Sequence, residues 1–318
     1  MRAVAGSSMH SPARGRAAAT LLVTLLLSLP AAAVIIDSGD GTGNTTAPPD
    51  DPGWDHVGVL GGAAVVYLRN GWVLTAAHVG LGSVSLGGTV YAAVPGSDIQ
   101  LVNNGEGTLA DLVVFAITPI PPLPDLEIRA NPALPTGEVI MVGHGSNRGV
   151  ASDSDDPGIW TPPPDFPSPA IEGWYWGGAK AQRWGTNTVE DYWNFSPIDT
   201  ESYYTIFDRV EDVGHTPHEC QAANGDSGGA LFAKDGGNWE LAGLMWALAP
   251  FEGQNFSTSA LRGNATLAAD LSFYRDDIVS LTATPVPEPA LALQLITGAG
   301  FLACMNRSRT GGRRPAPN

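Results

Sequence analysis

The most informative stretch in this chain of 318 residues is Gly225-Asp226-Ser227-Gly228-Gly229. A serine hydroxyl is a weak nucleophile, so it needs a base that removes its proton and donors that hold the oxyanion formed after attack. Glycines on both sides let the backbone turn tightly and let a substrate approach the main chain. The N–H groups of Gly225 and Ser227 can then point at one oxygen. Taken alone, the motif also describes an ordinary turn.

A histidine ends the second strand of a predicted hairpin. Residues 57–68 and 72–78 form two apolar runs, and the Asn70-Gly71 dipeptide between them accepts the positive φ angles of a tight turn. The small residues before His78 let its imidazole lie at a strand end, close to a neighbouring strand. The residues themselves leave two interpretations open, a catalytic base and a core histidine bonded to backbone.

An acid, Asp111, leads directly into the apolar run 112–117. A carboxylate at such a position is partly buried and needs a donor. An imidazole N–H would satisfy it, fix the imidazole tautomer and stabilise the imidazolium formed during attack. The alternative is a solvated acid at the start of a strand.

Together these features resemble the trypsin and chymotrypsin family of serine proteases. The resemblance rests on the order histidine, acid, serine, on the alanine pair before the histidine, on the acid that opens a strand, and on the glycine-rich serine motif. Gly143-His144-Gly145 and Leu241-Ala242-Gly243-Leu244 look like further strand landmarks of the family. The similarity covers roughly residues 56–280.

The resemblance implies an all-β fold of two antiparallel six-stranded β-barrels, and helical periodicity at about residues 265–281 predicts one short C-terminal helix. The first barrel would span residues 56–130 and the second 131–280, with an insertion at about 150–180. Short strands are also predicted at 89–94, 97–102, 111–117 and 138–143. The site would lie in the cleft between the barrels.

The resemblance also implies the role of each site residue in acyl-enzyme hydrolysis of a peptide bond. His78, Asp111 and Ser227 would be the catalytic residues: Ser227 attacks, His78 acts first as base and then as acid, and Asp111 orients His78. The oxyanion hole would consist of the N–H groups of Gly225 and Ser227.

The acid before the serine, Asp226, has a supporting role in this resemblance. In many relatives it pairs with a new hydrophobic N-terminus after activation. Signal cleavage after Ala33 would leave Val34-Ile35-Ile36, an apolar end that could insert beside Asp226. The alternative is a terminus without a fixed position and an Asp226 held by other groups.

The cysteines depart from the family pattern. Relatives have a paired cysteine four residues before the serine, whereas here Cys220 lies seven before it and the only other cysteine, Cys304, is in the tail. The catalytic part therefore has no internal disulfide, and the loop that forms the specificity pocket has a different length. Its base has several candidates, so the cleavage preference stays open: Gln221, His218 and Glu219.

A second departure concerns the support of the acid. In the family a serine on the strand after the nucleophile supports the triad aspartate, and here that position falls near Met245 or Trp246. The support is missing or replaced, which bears on catalytic efficiency.

His215, His218 and Cys220 have spacings that could bind zinc. Four ligands in a closed geometry are not evident, and a polar loop beside the site is the simpler interpretation. The sequence therefore predicts no metal and no cofactor.

Both ends of the chain resemble addressing signals. Residues 1–33 carry three arginines, an apolar run and three alanines, the order of a secretory signal peptide; a membrane anchor is the alternative. Residues 34–55 form a Gly-, Asp-, Thr- and Pro-rich segment, predicted as an extended lead-in.

Residues 281–318 resemble the PEP-type (PEP-CTERM) C-terminal sorting signal of Gram-negative bacteria. Pro287-Glu288-Pro289 precedes a short apolar segment at about 290–305, and four arginines follow it. The resemblance implies an exosortase-type sorting enzyme as partner, transient membrane attachment, and a location in the cell envelope, on the cell surface or outside the cell. A plain C-terminal membrane anchor is the alternative.

The part between these two ends is strongly acidic. Seven of the 16 basic residues lie before residue 34 or after residue 289, where there are no acids, which leaves nine basic residues against 32 acids and a net charge of −23. Such a domain does not bind nucleic acid by neutralising phosphates.

The sequence predicts an exported serine endopeptidase that acts on a protein or peptide substrate. The alternative is a catalytically silent domain of the same fold that binds protein or matrix polysaccharide at the cell surface. The changed pocket loop and the missing support serine keep this alternative open.

Overall fold

The computed structural model describes residues 34–286, apart from 104–106, 134, 153–172, 194–198 and 256–257. The predicted signal peptide and nearly all of the predicted sorting signal lie outside the described residues. Within them no helix is long and apolar enough to cross a membrane. The described part begins with a short strand, β1 (Ile35–Ile36).

The first half of the chain forms an antiparallel barrel. Its strands are β2 (Val57–Leu60), β3 (Ala63–Arg69), β4 (Trp72–Thr75), β5 (Val84–Leu86), β6 (Thr89–Ala93), β7 (Ile99–Val102) and β8 (Leu109–Thr118). The order β4-β3-β2-β5-β6-β8 closes into a six-stranded ring because β4 also pairs with β8, and β7 is added along β8. The predicted turn at Asn70-Gly71 joins β3 to β4 with both residues at positive φ, as expected.

The second half of the chain contains another antiparallel barrel and further strands outside it. Its strands are β9 (Glu138–Gly143), β10 (Ser146–Ser152), β11 (Gly173–Lys180), β12 (Arg183–Tyr192), β13 (Ser202–Ile206), β14 (Cys220–Gln221), β15 (Ala230–Asp235), β16 (Asn238–Ala249), β17 (Ser259–Leu261) and β18 (Ala265–Asp270). The closed order is β12-β13-β18-β16-β15-β9, while β10, β11 and β17 form a separate three-stranded sheet.

The central strands are buried on both faces, which explains their unbroken apolar runs. In β3, Val65 and Tyr67 point into the first barrel, whereas Val66 and Leu68 belong to a cluster shared by both barrels. That shared cluster packs the barrels against each other, so apolar burial fixes the cleft between them. Residues on one strand thereby stabilise both a barrel and the interface.

The single α-helix of the described part, α1, spans Leu271–Thr282 and begins later than predicted. Residues 265–270 form strand β18, held between β13 and β16, so barrel pairing overrides the helical propensity of their alanines. Asp270 then starts the helix, because its carboxylate accepts hydrogen bonds from the backbone N–H of Ser272 (3.0 Å) and from its hydroxyl (2.7 Å). Leu271, Tyr274 and Ile278 pack into the shared cluster.

The predicted lead-in is more ordered than its composition indicates. Strand β1 pairs with β14, with Ile35 opposite Gln221, and both isoleucines of β1 are buried. Farther along, Trp184 donates its indole N–H to the carbonyl of Thr46 (2.9 Å). The segment thus packs along the second barrel and brings Val34 to the serine loop.

Candidate active site

His78 and Asp111 are in direct contact at one edge of the first barrel. His78 lies in a 3₁₀ turn directly after β4, and Asp111 lies near the start of β8. Because β4 pairs with β8, Thr75 opposite Val113, the register brings the two side chains together. The Asp111 carboxylate accepts the backbone N–H of His78 (2.8 Å) and lies 2.6 Å from its Nδ1. Two contacts through two carboxylate oxygens fix the ring orientation.

This contact moves the pKa of both groups. The hydrogen bond from Asp111 raises the pKa of His78, and this outweighs the lowering by partial burial. Burial alone would raise the pKa of Asp111, but the hydrogen bonds from the side chain and backbone of His78 together have the larger effect, so the pKa of Asp111 is lowered. An ionised carboxylate beside the imidazole stabilises the imidazolium, as a catalytic base requires.

The serine loop of the second barrel lies against the strand end that carries His78. The backbone N–H of Ala64 donates to the carbonyl of Ser227 (3.0 Å), and the Thr75 hydroxyl donates to the carbonyl of Ala64 (2.9 Å). A Cβ on Gly228 would collide with the Ala64 carbonyl oxygen and with the Thr75 hydroxyl. Only glycine permits this approach, which places Ser227 beside the segment that leads to His78.

The loop before the serine has a defined turn geometry. Gly225 has φ +99°, and the N–H of Asp226 donates to the carbonyl of Ala223 (3.0 Å). A side chain at Gly225 would meet the ammonium of Lys180 and the carbonyl of Gly62. The positive φ and the lack of space both require glycine here.

Asp226 is fully buried and accepts three backbone donors. These are Gly145 (2.7 Å), Ala223 (2.7 Å) and Val34 (3.4 Å). Burial raises the pKa of Asp226 to about 6, while the three backbone bonds and Lys180 act in the opposite direction. The carboxylate therefore joins the serine loop, the β9–β10 connection and the start of the described chain.

A cavity of about 330 Å³ opens beside Ser227. The described residues that line it are mainly apolar, and none of them is charged: Ala222, Ala223, Asn224, Ser227, Met245, Trp246, Ala247 and Leu248. The sequence had left three other residues as candidates for the bottom of the specificity pocket. Glu219 instead accepts hydrogen bonds from Thr216 and Asp208, and the side-chain amide of Gln221 donates to the Ala265 carbonyl (3.2 Å).

The third candidate, His218, packs edge-on against Trp184, with ring centroids 4.7 Å apart. Its Nδ1 lies 3.0 Å from the Ser38 hydroxyl. In the possible zinc set, Cys220 is a buried free thiol with its sulfur 3.5 Å from that of Met141. Across the described residues, no group of three or more His, Cys, Asp or Glu side chains is arranged to hold a metal ion.

The positions where a support serine was sought hold Met245 and Trp246. Trp246 donates its indole N–H to the Ser202 hydroxyl (2.9 Å). A residue that sequence analysis missed, Thr200, contacts the acid instead: the backbone N–H of Asp111 donates to its hydroxyl (2.8 Å). No motif marks Thr200 in the sequence, because its role depends on docking between the barrels.

Two closed six-stranded barrels, with a histidine–acid pair on the first and a glycine-rich serine loop on the second, make the fold trypsin-like. Similar solved structures include a mutant of human heparin binding protein (CAP37), 15% identical, covering 78% of this chain and 99% of that one, TM-score 0.49. Kallikrein-related peptidase 10 in complex with Zn²⁺ is 15% identical, covering 75% and 98%, TM-score 0.45.

An inactive mutant form of Rv3671c from M. tuberculosis H37Rv is 13% identical, covering 77% of this chain and 99% of that one, TM-score 0.44. No protein-family model matches the chain, and no curated protein matches it either.

Proposed function

We propose that this chain is a serine endopeptidase with His78, Asp111 and Ser227 as its catalytic residues. The observation that carries the proposal is the 2.6 Å contact between His78 and Asp111 at the strand end against which the Ser227 loop docks. A core histidine is disfavoured because about half of the His78 side chain is exposed. A solvated acid is disfavoured because the Asp111 carboxylate contacts both the backbone N–H and the ring of His78.

The reaction follows from these positions. The Ser227 oxygen attacks the carbonyl carbon of the scissile bond while His78 takes the hydroxyl proton, and the carbonyl π electrons move to oxygen. The N–H groups of Gly225 and Ser227 stabilise this oxyanion. When the oxyanion collapses, the C–N bond breaks and His78 gives its proton to the leaving amine. Water, activated by the same imidazole, then releases the acyl group and restores Ser227.

The cavity beside Ser227 supports a preference for an apolar side chain before the scissile bond. Its alanines and its Met245 and Leu248 offer apolar contact and no partner for a charge. Burying an unpaired ammonium or carboxylate there would cost several kcal/mol, on the order of that for other unpaired buried charges.

The proposal includes export and sorting. Residues 1–33 would direct secretion, and residues 281–318 would be recognised by an exosortase-type enzyme after transient membrane attachment. The protein would then act in the cell envelope, on the cell surface or outside the cell. The acidic surface of the central part suits solubility there.

A fluorophosphonate probe tests the enzyme assignment. Folded protein should be labelled covalently, and Ser227→Ala should abolish labelling while leaving the far-UV spectrum unchanged. A buried-serine control, Ser259→Ala, should keep the label. Folded wild-type protein that takes no label would support the silent, binding alternative.

A further inference from the structure

Asp111 forms a hydrogen bond with a residue of the second barrel, at a position where no sequence motif predicts one. Its backbone N–H donates to the hydroxyl of Thr200 (2.8 Å), a residue that lies just before β13 and is 1% exposed. Asp111 belongs to the first barrel, so this hydrogen bond crosses the interface. It is formed next to the His78–Asp111 contact.

The strand pairing around Asp111 shows why its N–H is available. Strand β8 pairs with β7 through Val113 and Leu109, and the register shifts between these two positions. Asp111 lies within the shift, so its backbone donor turns to Thr200. The contact is partly buried, and a fully buried donor left without an acceptor would cost roughly 1–3 kcal/mol, so the hydroxyl is a favourable partner for this N–H.

Thr200 is itself held from both sides. The Ser202 hydroxyl donates to the Thr200 carbonyl (2.9 Å), and Trp246 donates its indole N–H to the same Ser202 hydroxyl (2.9 Å). On the helix side, the N–H of Glu201 donates to the hydroxyl of Tyr274 (2.8 Å). Because Trp246 also lines the cavity beside Ser227, a continuous chain of hydrogen bonds leads from the cavity wall to Asp111.

We propose that Thr200 is a positioning residue for the catalytic pair: its hydroxyl fixes the backbone of Asp111, and Ser202 and Trp246 fix Thr200. This inference rests on the proposed function. It identifies what takes the place of the support serine that the family resemblance led us to seek at positions 245 and 246. The support acts on the backbone of the acid and comes from a different strand.

The position of Asp111 affects the pKa of His78. Asp111 raises the pKa of His78 through a short contact, so a small displacement of Asp111 lengthens that contact and lowers this pKa. Misplacement by about 1 Å can cost on the order of 100-fold in rate. Substrate binding should change little, since Thr200 is not among the residues that line the cavity.

The test uses Thr200→Val, which keeps the shape and removes the acceptor, and Thr200→Ser, which restores the hydroxyl. Thr205→Val is the matched control, because Thr205 is equally buried in β13 and its hydroxyl makes just one long hydrogen bond among the described residues, to the Met141 sulfur at 3.9 Å. We expect Thr200→Val to lower kcat about 10- to 100-fold with KM within about 2-fold, and Thr200→Ser to recover most of it.

An NMR titration of the His78 ring gives a second readout that needs no activity. Its pKa should fall in Thr200→Val and stay at the wild-type value in Thr200→Ser and Thr205→Val. An unchanged pKa in folded Thr200→Val, or an equal loss of kcat in Thr205→Val, would overturn the inference. If Thr200→Val does not fold, Ser202→Ala takes its place and should lower the same pKa; an unchanged value there also overturns it. Wild-type protein that binds no fluorophosphonate would refute the proposed function, while the titration would still decide the role of Thr200.

Discussion

At the scale of single residues, the proposed catalytic pair His78–Asp111 would set the pH dependence of kcat/KM. His78 must be unprotonated to act as base, and its contact with Asp111 raises its pKa. The value of kcat/KM should therefore rise with pH, with its midpoint above the ordinary value of ~6.5. A substrate without titratable groups gives the cleanest measurement.

The control for this prediction is Asp111→Asn. It removes the contact that raises the pKa, so the midpoint should move down, and kcat should fall about 10³- to 10⁴-fold because the tautomer is no longer fixed. A rate that does not vary between about pH 5 and 8 would argue against His78 as the base.

If the chain is the proposed endopeptidase, the residues that line the cavity would determine its cleavage preference. Peptides that differ only in having norleucine or lysine before the scissile bond present side chains of similar length, one apolar and one charged. Since the described part of the lining beside Ser227 is mainly apolar and has no acid, kcat/KM should favour norleucine by about 100-fold or more. Equal cleavage of both peptides, measured in competition by mass spectrometry, would contradict the apolar assignment.

At the scale of elements, strand β1 places the start of the described chain beside Asp226. Val34 is buried and its nitrogen lies 3.4 Å from the Asp226 carboxylate. A free α-ammonium at this position would form a charge-assisted bond with a carboxylate that also holds Gly145 and Ala223. Cleavage after Ala33 would create that ammonium and strengthen the contact between Val34 and the carboxylate of the serine loop.

Protein that begins at Val34 should therefore be active, whereas one extra alanine before Val34 should reduce kcat/KM by at least about 10-fold, a loss of roughly 1.4 kcal/mol in transition-state stabilisation. The same residue added at the C-terminal end is the control and should have no effect. Full activity of the extended protein, measured with the fluorophosphonate probe or a peptide, would refute this role of Val34.

The elements also show what the sequence could and could not predict. The hairpin turn at Asn70-Gly71 and the strands near 89–94, 97–102, 111–117 and 138–143 are confirmed, because local turn chemistry and apolar runs determine them. The predicted start of the helix was wrong because residues 265–270 form a strand that pairs with β13 on one side and with β16 on the other. Single-residue propensity does not reveal such pairing.

The same distinction applies to the site. The histidine, acid and serine could be proposed because each has a local motif, whereas Thr200 and the lining of the cavity depend on how distant segments dock. The two candidates His218 and Glu219 illustrate the limit: they lie close to Ser227 in sequence, yet Trp184 and Thr216 hold their side chains elsewhere. Sequence distance to Ser227 therefore predicts only part of the pocket: residues 222–224 line the cavity, whereas these two candidates do not.

At the scale of the whole molecule, three buried carboxyls connect stability to pH. Burial raises the pKa of Glu219 to about 8 and those of Asp208 and Asp226 to about 6. Each therefore holds its proton in the folded state at pH values where the unfolded chain has released it. The stability that this provides is complete below the ordinary pKa and is lost as pH rises through the folded pKa, so Tm should fall between about pH 4 and pH 8.

Glu219 lies where several segments meet, so it offers the most direct test of this pH dependence. Its carboxyl accepts from Asp208 and Thr216, and its carbonyl accepts the N–H of Asp37 from the start of the described chain. Glu219→Gln carries no titrating group, but its amide NH₂ must face one of these backbone donors, so its Tm should lie below that of the wild type near pH 5. Because only the wild type loses stability as Glu219 ionises, this difference in Tm should shrink or reverse towards pH 8.5, at about 2–4 °C per kcal/mol. Glu211→Gln, an exposed change in the same region, should follow the wild-type curve at both values. Calorimetry across this range decides the matter: a Glu219→Gln curve parallel to the wild type would mean that Glu219 is ionised in the folded protein and that another group causes the loss.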